Sequence, residues 1–404
     1  MKTIFVQGFK QMKSLLEISF KNKKALIRVD FNVPLDSNFE VADNSRIKAA
    51  KPTIDHVLNS GGSCVLISHL GRPKGKNLSY SLSHILREAE ECLGRKIKFI
   101  DDCIGQKVEN AVETLLPGEV LMLENLRFYK EEALGDELFS QKLSKAGNVY
   151  INDAFGTSHR NHASTSTVAG FFNEKGAGLL LLKEVEAIDK VLKSKTSPVT
   201  AIIGGAKVSS KIPIIKNLLS IADNLVIGGG MAYTFIKSKG GQVGKSIYEP
   251  EMIPVCEDLI LEAKKNKVSV CLPKDVVAAK EFSNNAKTKV VGAHNIYEDW
   301  MGLDIGPETE KYFASIILKS QTILWNGPLG VFEMDAFSGG TKAVATSVAE
   351  ATKKGCFSLV GGGDSVAALT KFNLFGKVSY VSTGGGAMLE SLEGKTLPGI
   401  AALL

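Results

Sequence analysis

Short apolar runs alternate along this chain with glycine turns, charged loops and stretches of helical spacing. Ala25–Pro34 reads as a strand running into a polar end, with Arg28, Asp30 and Asn32 alternating onto one face. Asn44–Asn59 carries Ile47, Ala50, Ile54, Val57 and Leu58 at helical spacing. Cys64–Ile67 is the next strand, followed by the stiff basic loop Ser68–Gly75. Leu82–Leu93 is an amphipathic helix, Lys98–Ile100 a strand and Val108–Leu115 a helix. Val120–Leu123 and Asn148–Asp153 are strands that run into Glu124–Phe128 and Phe155–His162. Residues 164–178 are small, polar and glycine-dotted, as at a domain boundary, and Leu179–Leu192 is a helix.

The second half has a different punctuation. Apolar runs end at Gly204-Gly205, Gly228-Gly229-Gly230, Gly361-Gly362-Gly363 and Gly384-Gly385-Gly386, each before residues that favour a helix. One such turn serves packing as readily as binding. Four of them, in a parallel sheet, open at one edge, where free N–H groups and helix dipoles suit phosphate. Asp364 follows the third turn and can face a divalent cation on that phosphate. Leu303–Pro307 and Leu324–Glu333 are further loops after apolar runs, with Trp325 in the core.

Composition narrows the class. At 404 residues two domains are expected, and 44% apolar with 23% charged residues describes a globular chain. Six scattered cysteines without a C-x-x-C pair read as reduced thiols, which points to the cytoplasm. No apolar run approaches a membrane span, so no membrane partner is expected. The first sixteen residues hold three lysines and no acid but no apolar signal core, which reads as an extension rather than a targeting segment.

Charge is more specific than the net +6 suggests. The seven arginines are Arg28, Arg46, Arg72, Arg87, Arg95, Arg127 and Arg160, with none beyond, whereas lysine occurs throughout. The surviving arginines include positions where a planar two-pronged donor is needed for carboxylate or phosphate. Arg87 and Arg95, in a helical stretch, read as ordinary surface residues. Arg28, Arg46, Arg72, Arg127 and Arg160 follow strands, or open a helix, in a repeating pattern, and so line one edge of a parallel sheet. That basic cleft suits a small polyanion. It lacks the interleaved aromatics and broad lysine stripe of a nucleic-acid groove.

Two motifs lead nowhere. Gly240–Ser246 resembles a Walker A phosphate loop but is one residue short and follows a helix where a strand is required. No G-x-G-x-x-G fingerprint of a dinucleotide site is present. An anion on the arginine half and a nucleotide with Mg2+ on the glycine half then point to phosphoryl transfer, which needs positioning and charge neutralisation more than covalent chemistry.

Arg28–Pro34, Ser68–Pro73, Glu124–Phe128, Asn152–Gly156, Gly204–Ser209, Trp325–Pro328 and Gly361–Ser365 together closely resemble the phosphoglycerate kinase family, in that family's order. The resemblance implies two lobes, each a parallel sheet flanked by helices in three α/β/α layers, joined by a hinge helix. It divides the chain into a phosphoglycerate lobe (1–173, with the tail from about 390 to 404 packing back on it), an interdomain helix (174–193) and a nucleotide lobe (194–389). It implies reversible transfer between 1,3-bisphosphoglycerate and MgADP, giving 3-phosphoglycerate and MgATP, by a cytoplasmic monomer whose lobes close. By motif matching, Asp30, Asn32, Arg46, His69, Leu70, Gly71, Arg72, Arg127 and Arg160 hold phosphoglycerate. Gly205, Lys211, Gly302, Asn326, Glu333, Gly361, Gly362, Gly363, Asp364 and Ser365 hold the nucleotide, with Asp364 on Mg2+. Arg28, Lys207, Gly384 and Gly385 meet the transferring group. The first dozen residues have no counterpart in the family's usual start, and Ser365 stands where threonine is common.

Overall fold

A computed structural model describes residues 12–404. The expected N-terminal extension lies almost wholly outside these residues. The chain divides into two compact units, 1–186 with 394–404, and 187–393.

The first unit is built on β1 (Lys24–Arg28), β2 (Ser63–Ile67), β3 (Ile97–Ile100), β4 (Val120–Leu123), β5 (Val149–Asn152) and β6 (Lys175–Ala177). They form one sheet in the order β3-β4-β2-β1-β5-β6, all pairs parallel. β2, β4 and β5 are buried at every residue, as strands covered on both faces must be. Arg28 closes β1 between Ile67 and Asn152, so the most basic part of the unit starts at the middle of the sheet's C-terminal edge. The expected strand Ala25–Pro34 therefore stops at Arg28. Beyond it Val29, Phe31 and Val33 still point into the core while Asp30 and Asn32 stay partly exposed, so the alternation survives without the ladder.

The stretch 164–178, expected as a boundary, instead supplies the edge strand β6, and the division between units falls inside helix Leu179–Leu192. Small residues are needed there because a Cβ on Gly178 would sit 2.1 Å from Asp153 Oδ1. The tail beyond Glu393 belongs to the first unit: Gly399 N–H donates to Ser158 O at 2.8 Å, and Asn152 Nδ2 donates to Gly399 O at 3.1 Å.

Asp153 ties β5 to the start of helix Leu179–Leu192. Its Oδ1 accepts from Leu180 N at 2.9 Å and Leu181 N at 3.3 Å, while Leu179 N donates to Thr53 Oγ1. Oδ2 is buried without a partner; Thr53 is near enough to ease the charge but not in bonding geometry. Burial lifts the carboxyl to about 7, opposed by Thr53, the two N–H groups and Lys183. Between the ordinary aspartate value of about 4 and about 7, the folded state holds a proton that the unfolded chain has lost. Stability from this group therefore falls as pH rises through that window. Asp153→Asn, which mimics the protonated form, is expected to leave stability near wild type at pH 4. At pH 8 it should raise it by roughly 1–3 kcal/mol, read from urea midpoints at the two pH values. A variant less stable than wild type at pH 8 would contradict this.

The second unit contributes β7 (Val199–Ile203), β8 (Asn224–Ile227), β9 (Gln242–Val243), β10 (Ser269–Cys271), β11 (Asp275–Ala279), β12 (Thr288–Gly292), β13 (Asn295–Ile296), β14 (Met301–Ile305), β15 (Thr322–Asn326), β16 (Phe357–Val360) and β17 (Tyr380–Val381). Six of them form a parallel sheet in the order β10-β8-β7-β15-β16-β17. The four glycine turns follow β7, β8, β16 and β17, all at one edge of it. The unit also carries an antiparallel sheet, β12-β11-β14, and the pair β13-β9, which the alternation of strands and helices did not announce. Leu303–Ile305 is thus strand β14 rather than a loop. Trp325 is fully buried in the core of the main sheet, its Nε1–H given to Gly327 O at 2.8 Å.

Candidate active site

In the first unit the polar groups gather where parallel strands end. The Arg28 guanidinium is 1% exposed. Its Nε donates to Ser164 Oγ at 2.9 Å, Nη1 donates to Val29 O, and Nη2 lies 3.0 Å from His69 Nδ1. Arg46, in the first turn of helix Ser45–Asn59, gives Nη1 to Asp30 Oδ2 at 2.9 Å and to Asn32 O at 3.2 Å. Asn32 Oδ1 accepts from Gly71 N at 2.8 Å, and Arg127 Nη1 donates to Gly71 O. The loop after β2 is thus held by side chains arriving from β1 and β4.

Arg72 and Arg160 complete a cluster whose members act on one another. Burial and then the charges of Arg160, Arg28 and Arg72 pull Arg127 down to about 10. Arg160 is lowered by burial, then by Arg72 and Arg28. His69 is held well below its usual range by burial and then by Arg28, Arg127, Arg160 and Arg46. A neutral His69 is consistent with its bond to Arg28, because a guanidinium only donates. Nδ1 must then be the acceptor and Nε2 must carry the proton. His162 is likewise pushed down to about 4, first by burial. Like charges crowd here with Asp30 as the one acid that pairs directly with an arginine of the cluster among the described residues. Such a site is stabilised by a bound anion. Arg87 and Arg95 stand apart, paired with Glu91 and Asp55.

The second unit holds two adjoining cavities. One, of about 480 Å³, is lined by Gly205, Lys207, Lys211, Asn326, Gly362, Gly363, Asp364, Ser365 and Gly385 among others. Lys211 Nζ donates to Asn326 Oδ1, whose Nδ2 donates to Gly361 O at 2.7 Å, and Ser365 Oγ accepts from Gly327 N at 2.6 Å. These bonds fix the ends of β15 and β16 to each other. Gly362 precedes helix Gly363–Lys371 at φ +95°, a backbone that side chains resist, and a Cβ there would meet Asn326 Nδ2 at 2.5 Å. The helix starts with unbonded N–H groups facing this cavity, as anion binding requires. Lys211 is lowered by burial and raised by nearby Asp364.

Gly205, Ala206 and Asp364 also line the second cavity, of about 690 Å³. Its wall is apolar: Tyr233, Ile247, Phe282, Met301, Leu303, Val331 and Met334, with Gly302 and Glu333. Polar cradle and apolar chamber together match the two chemistries of a nucleotide. Gly361 and Gly384 line neither cavity. Gly361 packs beneath, where a Cβ would meet Met388 Sδ at 2.2 Å, and Gly384 caps helix Gly385–Leu392.

Sequence reasoning missed the apolar wall, because its residues come from several elements with no shared motif. It also missed Asn125, which lies within a quoted motif. Asn125 is fully buried, accepts from Leu70 N at 3.2 Å and donates to Leu70 O and Tyr80 O at 2.8 Å each. Lys245 and Ser246, from the discarded phosphate-loop pattern, reach this region too: Lys245 lines the larger cavity, and Ser246 Oγ accepts from Gly302 N at 2.9 Å.

An acid-poor arginine cluster in one α/β unit and a polar, glycine-lined cradle adjoining an apolar chamber in the other suit a phosphotransferase acting between two anions. The phosphoglycerate kinase family profile matches residues 15–395. Phosphoglycerate kinase of Porphyromonas gingivalis is 50% identical, over 96% of this chain and 99% of that protein. That of Moorella thermoacetica is 49% identical, over 96% and 98%. The solved structure of phosphoglycerate kinase from Coxiella burnetii superposes with a TM-score of 0.89 at 39% identity, covering 97% of this chain and 98% of that one. The chain belongs to the phosphoglycerate kinase family.

Proposed function

We propose that the reaction of this family runs here with the following division of labour. The enzyme moves a phosphoryl group reversibly between the acyl phosphate of 1,3-bisphosphoglycerate and ADP. Asp30, Asn32, Arg46, His69, Arg72, Arg127 and Arg160, with the backbone of Leu70 and Gly71, hold the phosphoglycerate. Gly205, Lys211, Asn326 and Gly362–Ser365 hold the nucleotide phosphates, with Gly361 packed beneath them, and Gly302 and Glu333 belong to the chamber for base and ribose. Arg28, Lys207 and the helix start at Gly384-Gly385 neutralise the group in flight.

Mg2+ fits this chain as a partner of the nucleotide. Among the described residues no group of three or more His, Cys, Asp or Glu could hold a metal ion, but Asp364 stands at the rim of both cavities. One carboxylate beside a phosphate cradle is the usual protein share of a Mg2+ site, phosphates and water supplying the rest. The ion would offset charge on the nucleotide phosphates. In the ATP-consuming direction the attacking group is a carboxylate, ionised at neutral pH, so no general base is required.

The reading is carried by one observation above the others: Arg127 and Arg160, lowered first by burial, are lowered further by the charges of the arginines around them, and Asp30 is the one acid that pairs directly with an arginine of the cluster among the described residues. Because the two ligands belong to separate units, reacting atoms have to come within ~3–3.5 Å. We assign the required closure to helix Leu179–Leu192, in a monomer working in the cytoplasm. A coupled assay tests the whole: ATP consumption should depend on both 3-phosphoglycerate and Mg2+. Consumption independent of 3-phosphoglycerate would remove the assignment.

A further inference from the structure

Glu132 has no part in the reaction as assigned, yet its carboxylate is completely buried. It lies in the short helix Lys130–Leu134. Oε1 accepts from Ser164 Oγ at 2.6 Å and Oε2 accepts from Ser164 N at 2.9 Å. Its own carbonyl accepts from Ala163 N at 2.9 Å, and His162 Nδ1 lies 3.8 Å from Oε1.

The directions of these bonds can be worked out. A serine hydroxyl has one proton. Ser164 gives it to Glu132, since a carboxylate can only accept. Its lone pairs are then turned to Arg28, whose Nε donates at 2.9 Å. Arg28 in turn donates from Nη2 to His69 Nδ1. The chain Glu132–Ser164–Arg28–His69 therefore has one sense throughout. It occupies three of the five guanidinium N–H groups, counting Nη1 to Val29 O, and leaves one on each Nη for a ligand.

Among the described residues Arg28 makes no direct ion pair, although it is 1% exposed. A buried cation without compensation is costly. The hydroxyl bridge supplies a carboxylate one atom away while keeping that carboxylate off the guanidinium edge that a substrate must reach.

We propose that Glu132, acting through Ser164, is a positioning residue for phosphoryl transfer: it fixes the plane of Arg28 and, through Arg28, the Nε2–H form of His69. This rests on the assignment of Arg28 to the transferring group. Small displacements of such a donor are felt mainly in the transition state, where the contact is strongest.

Glu132→Gln and Ser164→Ala in the full-length enzyme test it. Each should lower kcat by about tenfold and leave both Michaelis constants within about twofold, and the double variant should lose little more than either single one. Ser164→Thr, which keeps the hydroxyl, should restore turnover. The ¹⁵N shifts of His69 should move from the Nε2–H form towards a tautomer mixture in Glu132→Gln and Ser164→Ala. A residue that served folding alone would lower Tm with kcat and the His69 signature unchanged, and that result overturns the proposal. Additive losses in the double variant also overturn it. If Glu132→Gln does not fold, the Ser164 pair gives the answer unaided. Arg28→Ala measured alongside separates two failures. Full turnover in Arg28→Ala removes the assignment of Arg28 itself. An inactive Arg28→Ala with a fully active Glu132→Gln removes only the role of Glu132.

Discussion

Replacing Arg28 by lysine is expected to lower turnover by about 10²-fold while MgADP binding changes little. The charge stays, but one compact ammonium cannot span all three directed contacts of the planar fork. Ser164 Oγ and His69 Nδ1, now bonded to the guanidinium and themselves buried, cannot both keep a donor. A lysine amine there is also easier to neutralise by burial than a guanidinium. The arginines assigned to phosphoglycerate before the transition state are expected to behave differently. Arg46→Lys, Arg72→Lys, Arg127→Lys and Arg160→Lys should chiefly raise the Michaelis constant for phosphoglycerate. Arg87, exposed and paired with Glu91 along its own helix, sets the baseline: its lysine variant should stay within about 0.5 kcal/mol of wild-type stability and keep full activity. Steady-state kinetics on the set checks the order. Near-normal turnover in Arg28→Lys, or damage in Arg87→Lys equal to that in Arg72→Lys, would strip arginine placement of its meaning.

The largest effect expected in the second unit comes from Gly204→Ala. A Cβ there would stand 2.1 Å from Pro328 O and 2.7 Å from Gly327 O. Both are backbone atoms and cannot swing aside. The ends of β7 and β15 must part, although Gly204 N to Asn326 O at 2.9 Å and Gly205 N to Pro328 O at 3.0 Å hold them together. A stability loss of about 1–3 kcal/mol should follow, with MgADP binding reduced at least tenfold because the cradle is built on that junction. Gly363→Ala is the informative partner. A Cβ at that position meets no protein atom within 4 Å, so the side chain enters the space left for the ligand. At the start of helix Gly363–Lys371 alanine should leave stability unchanged or slightly higher. MgADP affinity should still fall by roughly tenfold, about 1.4 kcal/mol. Calorimetry with MgADP and thermal unfolding on the two variants separate the outcomes. Gly363→Ala binding as tightly as wild type would mean that the phosphates lie elsewhere.

The arginine rule and the glycine turns were legible without coordinates because both are local. A strand followed by Gly-Gly, or by a loop with one arginine, is written in consecutive residues, and parallel pairing then brings every such loop to one edge. Arg28, Arg72, Arg127 and Arg160 needed no more than that. The same holds for Asn326 and Ser365, at or within a few residues of a strand end.

Other features depend on residues far apart in the chain. Strand β1 ends at Arg28 because the next residues turn to place Asp30 against Arg46 and Asn32 against Gly71, bonds that no alternation encodes. Strand β6 is three residues long, and Lys175, Gly176 and Ala177 have little strand propensity of their own; pairing with β5 holds them extended. The apolar chamber draws on residues from Gly205 to Asp364, including the antiparallel strand β14, so it exists only once those elements are packed. Glu132 is the sharpest case. In the sequence it is one acid in Lys130-Glu131-Glu132-Ala133, and a solvated helix face is its natural reading. Burial against Ser164, thirty-two positions on, sets its carboxylate one hydroxyl away from the buried guanidinium of Arg28. Residue types and the succession of strands and helices along the chain follow from local pattern, but the cost of burying a charge depends on which distant groups surround it, and only the folded chain brings those groups together.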